Sequence, residues 1–378
     1  MSQFESVWQV PDAEVASGRI PGYVGAVRIG GQVVVRAGGT MATDADSPPM
    51  REHTLFRLAS ITKVFGGALT LGLVDDGALG LDDAISTWLP ELAAPRVLVS
   101  AEGPLDQTVA AERPLTVRHL LTFTAGWGVV FTPSPLQQAM IERGVFPGPL
   151  TPGMSGDEFV ARVAEVPLAF QPGEGWLYDT PMDLLGVLLE RATGKSLTDL
   201  LAERITGPLG LTSTTFGRAD VARLATAYQP GAEGLDVLDP PDGDFAGPSR
   251  FEELGSGLVS SAPEVLRFLC ALADGGDRLL STASLALMQT DALDDAQRAQ
   301  AEPIVGPGAS WGMGTSIDIE AAEPWMAVGR WGWNGGTGTT AFVDPARDTV
   351  AVLLTQRAMT GPEDRFGEFL TAVAKAAS

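Results

Sequence analysis

Residues 56–67, "FRLASITKVFGG", carry one lysine, Lys63, three positions after a serine, Ser60, inside an otherwise apolar setting. Lysine is rarely buried without a partner, so the pair needs an explanation. Val64, Phe65, Ala68, Leu69, Leu71, Leu73 and Val74 follow. They predict a helix over 60–77, apolar nearly all round and so placed in the middle of the protein. Residues three apart share a helix face, which sets the Ser60 hydroxyl beside the Lys63 amine. A serine hydroxyl is a weak nucleophile and needs a base. A lysine in an apolar wall loses hydration of its charged form, its pKa falls, and the neutral amine can accept a proton. Ser60 in the first turn would also face free backbone N–H groups that favour developing negative charge. The same spacing fits a capping serine and a snorkelling lysine, and the motif alone does not separate the two.

Upstream, "YVGAVRIGGQVVVRAGGTM" (23–41) holds two β-rich runs about Gly30-Gly31, a hairpin signal; a helix over 4–16 precedes it. Downstream, 115–123, 156–168 and 262–276 read as helices. Residues 180–205 give two more, punctuated by Gly194. Segments 145–156 and 228–250 are Pro/Gly loops. From Ser310 the pattern alternates: "WGMGTSIDI", "MAVGRWGWNGG" and "GTTAFVDPARDTVAVLLTQ" predict three antiparallel strands, and a last helix covers 362–377. Strands at both ends share a sheet only if the middle is an insertion. The expected class is α+β: an antiparallel sheet flanked by helices (1–62 and 305–378), plus a mainly helical region (63–304). The two form one catalytic unit with its site where they meet.

Bulk composition narrows the function. In 378 residues, 45% are hydrophobic and 19% charged, and the formal net charge is −22. So acidic a surface repels phosphate backbones and anionic lipid, which argues against nucleic-acid and membrane partners. The single cysteine, Cys270, lies among leucines in "RFLCALAD". It can form neither an internal disulfide nor a cysteine-rich zinc site. "MSQFESVWQVPDAEV" lacks the basic start and apolar run of a signal peptide, and the chain has no run of 18 uncharged apolar residues. A soluble, cytoplasmic, bacterial protein is expected; its oligomeric state is open.

Three further signals bear on chemistry. "GASWG" (308–312) matches a nucleophile elbow at Ser310. In that arrangement the histidine follows the serine, whereas His53 and His119 both precede it. Two isolated histidines also give no metal-ligand spacing. Tyr178, in "WLYDTPMD" (176–183), stands just before a helix. A phenol near a lysine ammonium can be held as phenolate and shuttle a proton; an ordinary half-buried tyrosine fits as well. "RWGWNGGTGTTAF" (330–342) is a Gly-rich strand edge that lets a substrate approach the backbone and can supply an oxyanion N–H. A bulged strand with a core tryptophan is the plainer account.

Taken in order, "LFRLASITKVF", "LTVRHLLTFTAGWG", "PLAFQPGEGWLYDTPMDLLGVLLERATGKSL", "GLVSSAPEVLRFLCAL" and "WNGGTGTTAFVDP" resemble the serine β-lactamase and penicillin-binding-protein superfamily. The likeness is nearest to its class C β-lactamase-like branch with the family VIII carboxylesterases, and it spans about 20–355. The resemblance implies a β-lactamase/transpeptidase-like fold, Ser60 as acylated nucleophile, Lys63 as its base and Tyr178 as the motif tyrosine. Trp333, Asn334 and Gly335 fall on the K-T-G positions. Gly336 follows, where the family takes its second oxyanion N–H; Ser60 gives the first. Thr180 stands in place of the motif asparagine. Trp333 replaces a lysine that in β-lactamases helps hold the substrate carboxylate, which favours uncharged esters. Phe123 stands where relatives often have histidine. The expected activity is carboxylic-ester hydrolysis on a small-molecule substrate, without cofactor or metal. β-Lactam hydrolysis, D-amino-acid peptide or amide hydrolysis, and acyl transfer use the same machinery. A non-catalytic binding protein of this fold is the rival from another class.

Overall fold

The computed structural model describes residues 3–148, 153–232, 234–276, 278–361, 364 and 366–378. Seven strands form one sheet: β1 (Gly22–Ile29), β2 (Gln32–Gly39), β3 (Ala309–Trp311), β4 (Ser316–Asp318), β5 (Trp331–Gly335), β6 (Thr339–Asp344) and β7 (Thr349–Thr355). Their spatial order is β3-β4-β5-β6-β7-β1-β2, and every neighbouring pair is antiparallel. The first two strands therefore close onto the last, with Val27 opposite Ala351. The β1–β2 turn uses Gly30 and Gly31 at φ 55° and 79°, the left-handed values that a two-residue hairpin demands.

Helices α1 (Gln3–Ala16) and α5 (Gly367–Ala376) pack together on one face of this sheet, burying Val7, Trp8, Phe369 and Val373 against Val27 and Leu353. The other face meets a larger core. It holds α2 (Thr62–Asp75), α3 (Thr180–Thr193) and α4 (Ala262–Ala273), the last of these lying on β1, β6 and β7. A short second sheet joins Phe56–Arg57 and Thr215–Phe216 to the two edges of Leu258–Ser260. That sheet fixes the approach to Ser60.

Most expected helices are present with trimmed ends, such as Val117–Leu121 and Gly156–Val163. The last begins at Gly367 rather than 362. Expected helix positions 362, 363 and 365, positions 149–152 of the loop read over 145–156, and position 233 of the loop read over 228–250 lie outside the described residues. The C-terminal strand count differs: five, not three. "DPARD" turns the chain through a 3-10 turn at Pro345–Arg347 with Asp348 at φ 44°, which divides one expected strand into a hairpin. β3 and β4 likewise divide the first. The loop read over 228–250 contains strands Ala227–Gly231 and Gly234–Asp239. Helices Pro135–Glu142, Thr282–Met288 and Asp295–Val305 were not expected; the last is polar and carries Pro303, which hides its period.

Candidate active site

Ser60 sits in a 3-10 turn, Ala59–Ile61, just ahead of α2 rather than in the helix proper. Ala59 is forced to φ 45°, a conformation that costs a residue with a Cβ about 1–3 kcal/mol and persists only where the surroundings hold it. Here they do. Leu58 N–H donates to Leu258 O at 2.8 Å. Thr339 Oγ1 donates to Leu58 O at 2.9 Å and Thr337 Oγ1 to Arg57 O at 2.7 Å. Gly335 makes the approach of β5 possible, since a Cβ there would lie 2.2 Å from Leu58 O.

Lys63 follows in the first turn of α2 and is wholly buried. Its Nζ donates to Ser60 Oγ at 3.0 Å, to Gly255 O at 2.7 Å, and to Asp179 Oδ1. Nζ also lies 4.6 Å from the centre of the Tyr178 ring. The expectation of a lowered lysine pKa is overturned. Burial does push it down, but the Asp179 carboxylate, with help from Tyr178 and Asp183, outweighs burial and raises it above its ordinary value. Resting Lys63 is an ammonium ion. Tyr178 is correspondingly a neutral phenol: burial raises its pKa against the opposing pull of Lys63.

The Tyr178 hydroxyl accepts a 2.6 Å hydrogen bond from Trp333 Nε1. Phe123 meets the Tyr178 ring edge-on, centroids 5.2 Å apart, and stacks on Trp311, which meets Trp333 edge-on at 4.9 Å. The apolar residue at 123 thus buttresses the tyrosine. The Trp333 N–H is spent on Tyr178, so the indole presents only its apolar face to a ligand.

Ser60, Tyr178, Trp333, Asn334 and Gly336 line one cavity of about 650 Å³, with Asp179 and apolar walls that include Val129, Phe131 and Leu238. Gly336 faces open space, and Asn334 Oδ1 is buried without a hydrogen-bond partner. Gly335 does not line the cavity; it is packed on Leu58. Thr180 is not there either. It opens α3, and its unpartnered hydroxyl lies in a neighbouring cavity of about 300 Å³ shared with Asp179, Asp183 and Glu253.

The residue that reaches the lysine is Asp179, which sequence reasoning missed. An aspartate before a helix has a ready explanation as its cap, yet this one makes no capping bond and sits at φ 90°, ψ −75°, the strained γ-turn region. Asp183 and Glu253 were missed too. Burial and the nearby Asp179 charge push Asp183 up to about 7, and burial holds Glu253 well above the usual carboxylate range. The folded protein keeps the Asp183 proton where the unfolded chain has lost it, so this group's contribution to stability falls as pH rises from about 4 to about 7. Asp183 Oδ1 accepts from Gly255 N at 2.8 Å, a bond an amide oxygen can keep. Asp183→Asn is therefore expected to raise the melting temperature relative to wild type more at pH 8 than at pH 5, a gain worth about 1 kcal/mol or more. Thermal melts at both pH values check this.

Other candidates fall away from the site. Ser310 is buried in β3 and donates to Asp291; it is on no strand-to-helix elbow. His119 Nδ1 accepts from Thr116 N at 3.1 Å within a capping box. Arg57 pairs with Asp239, Arg330 with Asp318, and Arg250 donates to Gly153 O. Among the described residues, no lysine or arginine lines the cavity. Among them too, no cluster of three or more histidine, cysteine or acidic side chains is arranged to hold a metal ion, and no helix is long and apolar enough to cross a membrane.

This geometry has clear relatives. A family model described as Beta-lactamase matches residues 9–376. The chain is 32% identical to Esterase EstB of Burkholderia gladioli over 377 residues, covering 93% of this chain and 90% of that one. It is 30% identical to the lovastatin esterase of Penicillium rubens over 329 residues, 81% and 80% of the two chains. The solved structure of EstCE1, a hydrolase with promiscuous acyltransferase activity, superposes with a TM-score of 0.85 at 26% identity, covering 99% of this chain and 98% of that one. The protein belongs to the beta-lactamase family, within the serine β-lactamase and penicillin-binding-protein superfamily, and is an enzyme of that fold.

Proposed function

We propose that the protein is a serine carboxylesterase that cleaves uncharged esters of small molecules through an acyl-enzyme on Ser60. The observation that carries this is Ser60 Oγ, 3.0 Å from the buried Lys63 Nζ, at a cavity with no lining cation among the described residues. In this reading Ser60 Oγ attacks the ester carbonyl. The carbonyl oxygen, now negative, turns to the backbone N–H groups of Ser60 and Gly336. The hydroxyl proton leaves by way of Lys63, which as an ammonium accepts it only as it gives up one of its own. Tyr178, whose own hydroxyl is held by Trp333, protonates the departing alcohol. Water then hydrolyses the acyl-enzyme. Trp333 forms an apolar wall of the cavity. The cavity draws on the sheet region (Ala59, Ser60, Trp333) and on the helical region (Val129, Tyr178), which supports one catalytic unit with its site at their seam. The cavity is large enough for an alcohol to stand where water would. The names of the relatives, an esterase and a hydrolase with promiscuous acyltransferase activity, point the same way.

A panel of p-nitrophenyl esters of increasing acyl length, run with wild type and Ser60→Ala, tests the proposal. Wild type is expected to turn them over, and a folded Ser60→Ala to show no turnover above background. A Ser60→Ala enzyme that keeps its activity overturns the assignment.

A further inference from the structure

Lys63 Nζ has three hydrogen-bond acceptors around it and no solvent. An ammonium has three N–H donors, so each finds one partner. The three acceptors are not equivalent. The Gly255 carbonyl can only accept, and Asp183 fixes it by accepting from its N–H. The Ser60 hydroxyl is the group to be deprotonated. Tyr178 shows Nζ its ring face, and its hydroxyl is engaged with Trp333 and Ser60, not with Nζ. Asp179 is therefore the one partner of Nζ that can take a proton from it. Its strained backbone supports this, because the carboxylate is turned away from capping α3 and onto the lysine.

We infer that Asp179 is a positioning residue of the reaction assigned to Ser60: it anchors the Lys63 ammonium and takes a proton from Nζ as the Ser60 proton moves onto Nζ. The inference rests on the esterase reading and deepens it. In the step, the Ser60 O–H bond breaks and an Nζ–H bond forms, while another Nζ–H breaks and an Asp179 O–H forms. The electron pair left on Oγ makes the bond to the acyl carbon, and the carbonyl π pair moves onto oxygen. Lys63 ends as it began, and the negative charge has passed from Asp179 to the tetrahedral oxyanion. The charged and titratable groups facing Asp179 are Lys63, Tyr178, Asp183 and Glu253. Of the three acids, Asp179 is the one hydrogen-bonded to Nζ.

Asp179→Asn keeps the shape, and asparagine tolerates positive φ. It leaves the buried ammonium short of its counter-charge, so Lys63 must lose a proton to solvent before it can act. The variant's deficit in kcat/KM should then depend on pH. The wild-type-to-variant ratio is expected to be about tenfold or more larger near pH 6 than near pH 8.5, with Asp179→Glu restoring the wild-type profile. Asp179→Gly, which suits the backbone angle, carries the same expectation should the asparagine variant fail to fold. A ratio equal at both pH values, or no deficit in a folded variant, overturns the inference. Failure of the esterase reading looks different: wild type itself would then show no Ser60-dependent turnover.

Discussion

Esters are expected to be cleaved at least about 10³-fold faster than penicillins in kcat/KM, about 4 kcal/mol in transition-state terms. An anionic β-lactam brings a carboxylate that must shed water on binding. Left without a partner, such a charge costs several kcal/mol, on the order of 2–5. Nothing in the described cavity offsets this. The third motif carries Trp333, its N–H is committed to Tyr178, and Arg57 and Arg330 are locked in buried pairs elsewhere. Among the described residues, the one charged side chain in the lining is the Asp179 carboxylate, and the net charge of −22 lowers the local concentration of anions. A neutral ester escapes both penalties and gains contact with the indole. Steady-state kinetics with short p-nitrophenyl esters beside benzylpenicillin decide this; comparable efficiencies would remove the basis for an esterase.

The second large effect concerns the proton path. Lys63→Ala and Tyr178→Phe are each expected to lower kcat on ester substrates by about 10² or more. Lys63→Ala removes the group bonded to Ser60 and leaves Asp179 without its cation. Tyr178→Phe removes the hydroxyl that Trp333 holds. Because both serve one path, the double variant should lose much less than the product of the single losses. Full kcat in Tyr178→Phe would take the tyrosine out of the mechanism.

How much of this was legible in the chain differs from residue to residue. Ser60 and Lys63 stand out because helical spacing is a local property, read from four positions. The hairpin at Gly30-Gly31 and the helix over 180–193 are local in the same way. The charge on Lys63 was not legible. Burial can be guessed from apolar neighbours, but the carboxylate that reverses the shift comes from 116 positions away, and nothing local marks it. Asp179 was hidden twice over, since an acid at a helix start already has an ordinary role. Thr180 took the asparagine's place by alignment of motifs, yet with Asp179 at φ 90° the next side chain lines the neighbouring cavity. Trp333 was placed correctly on its strand, but its partner, Tyr178, depends on how the helical region meets the sheet. That is a tertiary fact, and it spends the indole N–H on the tyrosine.

The central claim is covalent catalysis at Ser60. Incubation of the wild-type protein with a fluorophosphonate, followed by proteolysis and peptide mass spectrometry, tests it most directly. The account predicts a single stoichiometric adduct on the peptide carrying Ser60, loss of esterase activity in step with labelling, and no adduct in Ser60→Ala. An adduct on Ser310, or ester turnover that survives complete labelling of Ser60, would contradict it.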